Sequence, residues 1–260
     1  MCIMYNLQDF EVDMIKTYVI NLKTSIKRKQ YVDDLLSSYS DFLDVDFIEA
    51  VDGRNLSSSQ LGKIWNQDDT YKTYGRFMKG GEIGCALSHR KCCETILKNG
   101  EDVALILEDD VAFLHPDISD VILSTAEILR TERPAVALLF GEYWYTIKKM
   151  KLDSRFSLVN VHDAIMTTAY MINRRAAEHL MNAPLKYLAD DWYNLKRGRF
   201  TLYAVKPHIA DTALFETEIS GDGYSGTVRS NLSLPCLMNS YYRAMVRRLW
   251  GQIGHFEKRG

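Results

Sequence analysis

Val103-Ala104-Leu105-Ile106-Leu107-Glu108-Asp109-Asp110 joins five apolar residues directly to three acids. So short an apolar run, bounded by polar residues, reads as a strand buried on both faces. Three carboxylates at its end repel one another, and a divalent cation is the usual remedy. Open α/β sheets bind ligands beyond the carboxyl ends of their strands, where these acids fall. A hard cation held by one or two carboxylates, with a diphosphate completing its shell, is the simplest chemistry for that position. A solvated acidic turn is the plain alternative.

Upstream of this run, residues 16–22 read as a first strand. Residues 25–38 read as a helix with Ser25 as N-cap and Ile26, Val32, Leu35 and Leu36 at helical spacing. A second strand over 45–51 closes at Asp52-Gly53, and the polar, tyrosine-rich stretch 56–79 reads as loop with a short helix. Residues 80–98 form a helix that Asn99-Gly100 terminates. Downstream come an amphipathic helix over 117–130, strands over 135–140 and 167–172, and a helix from Asn173 to Asn182. A short helix or turn at 190–196 precedes a final strand over 200–205. Such alternation predicts one α/β domain over 14–235, a single mostly parallel sheet flanked by helices. Residues 1–13 read as an N-terminal extension before a start at Met14, Gly221, Gly223 and Gly226 as a flexible loop, and 236–260 as a basic amphipathic tail.

The 260 residues carry a net charge of −2, so no domain-wide basic field exists to collect nucleic acid. Five cysteines, two of them adjacent at 92 and 93, make no disulfide framework and no cluster at zinc spacing, and suggest a reducing compartment. No apolar run reaches membrane-span length and no leader pattern opens the chain, so a cytoplasmic location is expected. Gly80-Gly81-Glu82-Ile83-Gly84 is not the dinucleotide fingerprint, and neither a P-loop nor a G-x-S-x-G elbow occurs. What survives is a carboxylate-held metal on an α/β sheet.

Ile20-Asn21-Leu22 followed by Arg28, then Ala50-Val51-Asp52-Gly53, then Gly81-Glu82-Ile83-Gly84-Cys85-Ala86-Leu87-Ser88-His89, then Leu107-Glu108-Asp109-Asp110 occur in that order. Together, over roughly residues 14–215, they resemble glycosyltransferase family 25. This is the lipopolysaccharide and lipooligosaccharide biosynthesis family of bacterial β-1,4-galactosyltransferases, related to the collagen galactosyltransferases. The resemblance implies a GT-A fold, a UDP-sugar donor, Mn2+ or Mg2+, and inversion at the anomeric carbon. Under it Asp110 is the direct metal ligand, and Asp109 or Glu108 faces the ion, its water or the ribose. Asn21 and Leu22 border uracil or ribose, Arg28 reaches a phosphate and Asp52 the ribose. Ser88 and His89 belong to the same site with roles left open. His208, after Pro207, departs from the small or apolar residue usual in the family and is a late candidate metal ligand, as in some GT-A enzymes.

Inversion needs a base beside the acceptor hydroxyl. Asp190-Asp191-Trp192 supplies two carboxylates whose repulsion raises one pKa, and an aromatic platform for a sugar. Asp191 is the expected base and Asp190 the second choice; a helix N-terminus that simply favours acids is the alternative. Tyr241, Tyr242, Met245, Leu249 and Trp250 interleave with Arg243, Arg247 and Arg248. That pattern suits a helix on anionic lipid, through residues 241–259, at the cytoplasmic face of a bacterial inner membrane. The plain alternative is a helix packed on the domain. The expected activity is transfer of galactose to a lipid-linked oligosaccharide. A glucosyltransferase and a non-catalytic glycan-binding domain are the competing readings.

Overall fold

A computed structural model describes residues 14–197, 199–213, 215 and 227–258; the extension over 1–13 and the glycines at 221, 223 and 226 lie outside them. Its centre is a nine-stranded sheet. In chain order the strands are β1 (Ile15–Asn21), β2 (Leu43–Glu49), β3 (Val103–Glu108), β5 (Ala135–Leu138), β6 (Glu142–Lys151), β7 (Ser157–Ile165), β8 (Ala169–Asn173), β9 (Thr201–Lys206) and β11 (Phe256–Glu257). Across the sheet they follow the order β11-β6-β7-β9-β5-β8-β3-β1-β2. Six strands (β1, β2, β3, β5, β6 and β9) run one way and three (β7, β8 and β11) the other. The sheet is therefore mostly parallel in direction, with the reversed strands inserted where helices do not cross over. A separate two-stranded ladder pairs β4 (Val111–Phe113) with β10 (Ala210–Thr212).

The apolar run of β3 is continuous because both faces are covered. Leu105 and Leu107 pack with Val32 and Leu36 of α1 (Ile26–Ser37) and with Val121, Ile122 and Leu129 of α5 (Ser119–Leu129). Ala104 and Ile106 pack on the other face with Cys92, Cys93 and Ile96 of α4 (Gly80–Asn99) and with Ala176 and Ala177 of α6 (Arg174–Met181). Each fully buried leucine contributes about 2 kcal/mol by removal from water. The helix expected over 80–98 ends at Gly100, in the left-handed conformation, and Asn173 caps α6 by accepting from the Ala176 N–H at 3.0 Å.

Three parts differ from the sequence expectation. Residues 56–79 hold two helices, α2 (Ser58–Ile64) and α3 (Gln67–Tyr74), capped by Ser57 and Asn66. β6 and β7 form a long antiparallel pair in a region given no elements, and β9 is followed by further strands. The segment after residue 235, read as a basic amphipathic tail, takes the alternative of packing on the domain. Its helix, α8 (Leu234–Gln252), begins before that boundary, and β11 closes the sheet edge on β6. Among the described residues no helix is long and apolar enough to cross a membrane.

Candidate functional site

β1, β2 and β3 are parallel neighbours, so Asn21, the turn at 50–53 and Glu108 end on one edge of the sheet. The first turns of α4 close over this edge. Glycine permits that approach: a Cβ on Gly84 would lie 2.3 Å from the Val51 carbonyl oxygen, and one on Gly53 would lie 1.9 Å from that of Gly80. Ser88 fastens the contact by accepting from the Val51 N–H at 2.8 Å and donating to the Gly84 carbonyl at 2.7 Å. The resulting cleft, about 130 Å3, is lined by Leu22, Arg28, Asp52, Ser88, His89, Glu108, Asp109 and Asp110 among others. Asn21 lies buried at its edge.

The three acids are not equivalent. Asp109 accepts from Asn21 Nδ2 at 2.7 Å on one oxygen and from Arg28 Nη1 at 2.8 Å on the other. Burial lifts its pKa against the pull of Arg28 and Asn21. Glu108 is opposed by burial too, yet His89 Nε2 at 3.2 Å and the Thr167 hydroxyl at 2.6 Å hold it below the ordinary carboxylate range. Asp110 has Arg28 at 3.3 Å from one oxygen, while its Oδ1 is buried with no hydrogen-bond partner among the described residues. Burial and then the charge of Glu108 push its pKa up to about 7. The single charge of Arg28 does not balance three carboxylates, so the cluster favours a further cation.

Asp52 is turned away from a free role. It caps the short helical turn at 53–55 and holds Arg54 Nε at 2.8 Å, which keeps its pKa low. His208 does not join the cluster. The β4–β10 register sets Thr212 against Val111, and the Ala213 N–H donates to the Asp110 carbonyl, which leaves His208 farther along the chain. It sits against the Phe140 ring, 3.8 Å from Glu257.

Asp190 and Asp191 occupy a second cavity of about 520 Å3, shared with Tyr74, Arg229, Arg243 and Arg247. Asp191 is 4% exposed and fully engaged: Tyr74 Oη donates at 2.6 Å, Asn194 Nδ2 at 2.7 Å and Arg243 Nη1 at 2.8 Å. Asp190 is different. Burial, then the charges of Asp191 and Glu108, lift its pKa to about 6 against two backbone N–H groups, its own and that of Met166. Trp192, expected as a sugar platform, is buried at 1% exposure, its Nε1 donating to the Met166 carbonyl at 2.8 Å. Met166 has φ +84°, a left-handed conformation costly for this residue and held by the groups around it.

Arg243 and Arg247 of α8 also turn inward. Arg243 grips Asp163 with Nε at 2.5 Å and Nη2 at 2.7 Å, and Arg247 Nε reaches the same carboxylate at 2.6 Å. The arginines overcome burial and hold Asp163 below the ordinary carboxylate range. Of the three tail arginines expected to meet lipid, only Arg248 is exposed. Leu234, Met238, Tyr241, Met245, Leu249 and Ile253 all expose half or more of their surface. Tyr74 and Asp163 were absent from the sequence reading, Thr167 entered it only as the start of a strand, and Arg243 only as a tail cation. Asp163 carried a signal, as an acid on the buried face of an apolar strand.

Residues 14–192 match the family described as Glycosyltransferase family 25 (LPS biosynthesis protein), more than two thirds of the chain. The chain belongs to glycosyltransferase family 25. Procollagen galactosyltransferase 2 of Mus musculus is 29% identical over 175 residues, 64% of this chain and 27% of the mouse protein. A glycosyltransferase 25 family member of Aedes aegypti is 36% identical over 102 residues, 37% of this chain and 16% of its own length. The family 25 chain thus spans less than a third of the length of the curated relatives it matches. A putative glucose-1-phosphate thymidylyltransferase structure from Bacillus anthracis aligns with TM-score 0.41 and 14% identity over 76% of this chain and 89% of that one. Helix α8 and β11 lie beyond the family match.

Proposed function

We propose that this family 25 chain transfers a hexose from a UDP-sugar to a glycan with inversion, galactose in β-1,4 linkage being the leading product. The observation that carries the reading is Asp110 Oδ1, buried without a partner in the cleft where three parallel strands end. An unpaired carboxylate oxygen in that position is costly unless a cation meets it. The residues present fit a divalent ion: Asp110 and Glu108 would hold it, while Asp109, engaged by Asn21 and Arg28, serves to anchor Arg28. When bound, such an ion supplies Lewis-acid stabilisation to the charge leaving with the nucleotide diphosphate. Arg28, already beside Asp110, adds a guanidinium for a phosphate oxygen.

We assign the base to Asp190, the second choice from sequence, and a bracing role to Asp191. Asp190, raised to about 6, is ionised at neutral pH yet basic enough to take a proton from an acceptor hydroxyl. Asp191, committed to Tyr74, Asn194 and Arg243, is the brace that fixes the start of α7 (Trp192–Lys196) beside it. The charge of Glu108, in the first cleft, is felt at Asp190 in the second cavity.

The names of the procollagen galactosyltransferases support galactose as donor sugar. The description of the family supports a lipopolysaccharide-type acceptor. The apolar ridge of α8, beside the second cavity and with Arg248 at its rim, supports contact with the lipid surface that carries such an acceptor. Purified protein offered UDP-galactose or UDP-glucose with Mn2+ and with galactose-, glucose- or N-acetylglucosamine-terminated acceptors tests this reading. UDP release should be fastest from UDP-galactose. Faster release from UDP-glucose would change the sugar, and no release from any pair would favour a binding role.

A further inference from the structure

Cys85 Sγ, a ring nitrogen of His89 and a carboxylate oxygen of Glu108 all lie within 4.8 Å of one another. Cys85 and His89 stand one helical turn apart on the same face of α4, above the end of β3 that carries Glu108. Both polar partners are themselves oriented from behind. His89 Nδ1 is 3.0 Å from Tyr170 Oη, and Glu108 Oε1 accepts from Thr167 Oγ1 at 2.6 Å as well as meeting His89 Nε2 at 3.2 Å. Outer partners of this kind fix the ring and carboxylate of metal ligands.

Thiolate, imidazole and carboxylate together form the donor set of a borderline-soft ion. Mn2+ and Mg2+ favour oxygen, so the set differs in kind from the carboxylates around Asp110. We propose that Cys85, His89 and Glu108 form a second metal site, selective for a thiophilic divalent ion of the zinc class, with its fourth position open to the cleft. Drawing the trio onto a tetrahedral ion requires movements of only about 1 Å. Binding releases the thiol proton to solvent as the sulfur–metal bond forms, and His89 carries its remaining N–H on Nδ1, donating to Tyr170. Because Glu108 is shared, zinc in this site competes with the ion proposed at Asp110 and blocks donor binding. Cys92 and Cys93, buried in the core against α6 and the sheet, have no comparable set around them among the described residues.

Cobalt titration of the full chain tests the site. One equivalent of Co2+ should give a thiolate-to-cobalt charge-transfer band in the near ultraviolet, displaced by Zn2+. The band should vanish in Cys85→Ser and Cys85→Ala. Zinc affinity should fall ten-fold or more in His89→Gln. No such band in the wild-type protein, or a band that persists without Cys85, overturns the proposal; the wild-type measurement decides even if a variant fails to fold. The donor reading stands or falls separately, on Mn2+-dependent UDP binding by the wild-type protein.

Discussion

Replacing Asp190 with asparagine should slow transfer severely and stabilise the fold, two effects of opposite sign from one substitution. The carboxyl lies near 3.8 when unfolded and at about 6 in the folded chain, chiefly because burial disfavours its charge. Below pH 3.8 both states hold the proton and the group contributes no difference. Between 3.8 and 6 the folded state keeps the proton that the unfolded state loses, so stability falls as pH rises. Above pH 6 the penalty levels off at about 3 kcal/mol, the two-unit gap converted at 1.36 kcal/mol per unit. Asparagine keeps the shape and an oxygen acceptor for the Met166 N–H but cannot ionise. The variant should therefore melt higher at pH 8, by about 5 °C for a chain of this size, with the advantage shrinking toward pH 4. Its transfer rate should fall by about 10²- to 10⁴-fold, the usual contribution of a positioned base. In the wild-type enzyme the acid limb of the rate profile should rise with an apparent pKa near 6. Melting curves at several pH values, with UDP release on the same samples, measure both. Retained transfer would remove Asp190 from the chemistry; a pH-independent melting difference would refute the burial argument.

The bracing pair and the outer helix make separate claims. Arg243→Ala leaves Asp163 and Asp191 buried without their shared cation, and chemical denaturation should show a loss of about 3–5 kcal/mol. Met245→Glu with Leu249→Glu, on the exposed ridge of α8, should abolish sedimentation with anionic vesicles while leaving transfer to a soluble acceptor within two-fold. Unchanged sedimentation would take the lipid surface away from this helix.

β3 was legible because burial on two faces writes a continuous apolar run, and because the acids come at its end without a spacer; β2 was legible from its alternation. The helix over α4 was equally plain, down to its glycine stop. β6 was not legible: after Tyr145 it runs into Lys148, Lys149 and Lys151, and these exposed cations hide its pairing with β7. The capping pairs Ser57–Gln60 and Asn66–Asp69 were readable signs of α2 and α3 that the polar composition masked. The choice between Asp190 and Asp191 was not readable from neighbours. The contact that sets the two apart comes from Arg243, 52 residues downstream, which engages Asp191. The same buried acids decided which face of α8 turns inward, against the expectation that its cations face lipid.

Calorimetric titration of UDP into the wild-type protein and Asp110→Ala, each with Mn2+ and with EDTA, bears most directly on the acids after β3. Wild-type affinity should rise at least ten-fold with Mn2+, and Asp110→Ala should bind UDP weakly and equally in both buffers. Equal wild-type affinity with and without the metal, or a metal effect that survives loss of Asp110, would contradict a cation held there beneath a diphosphate.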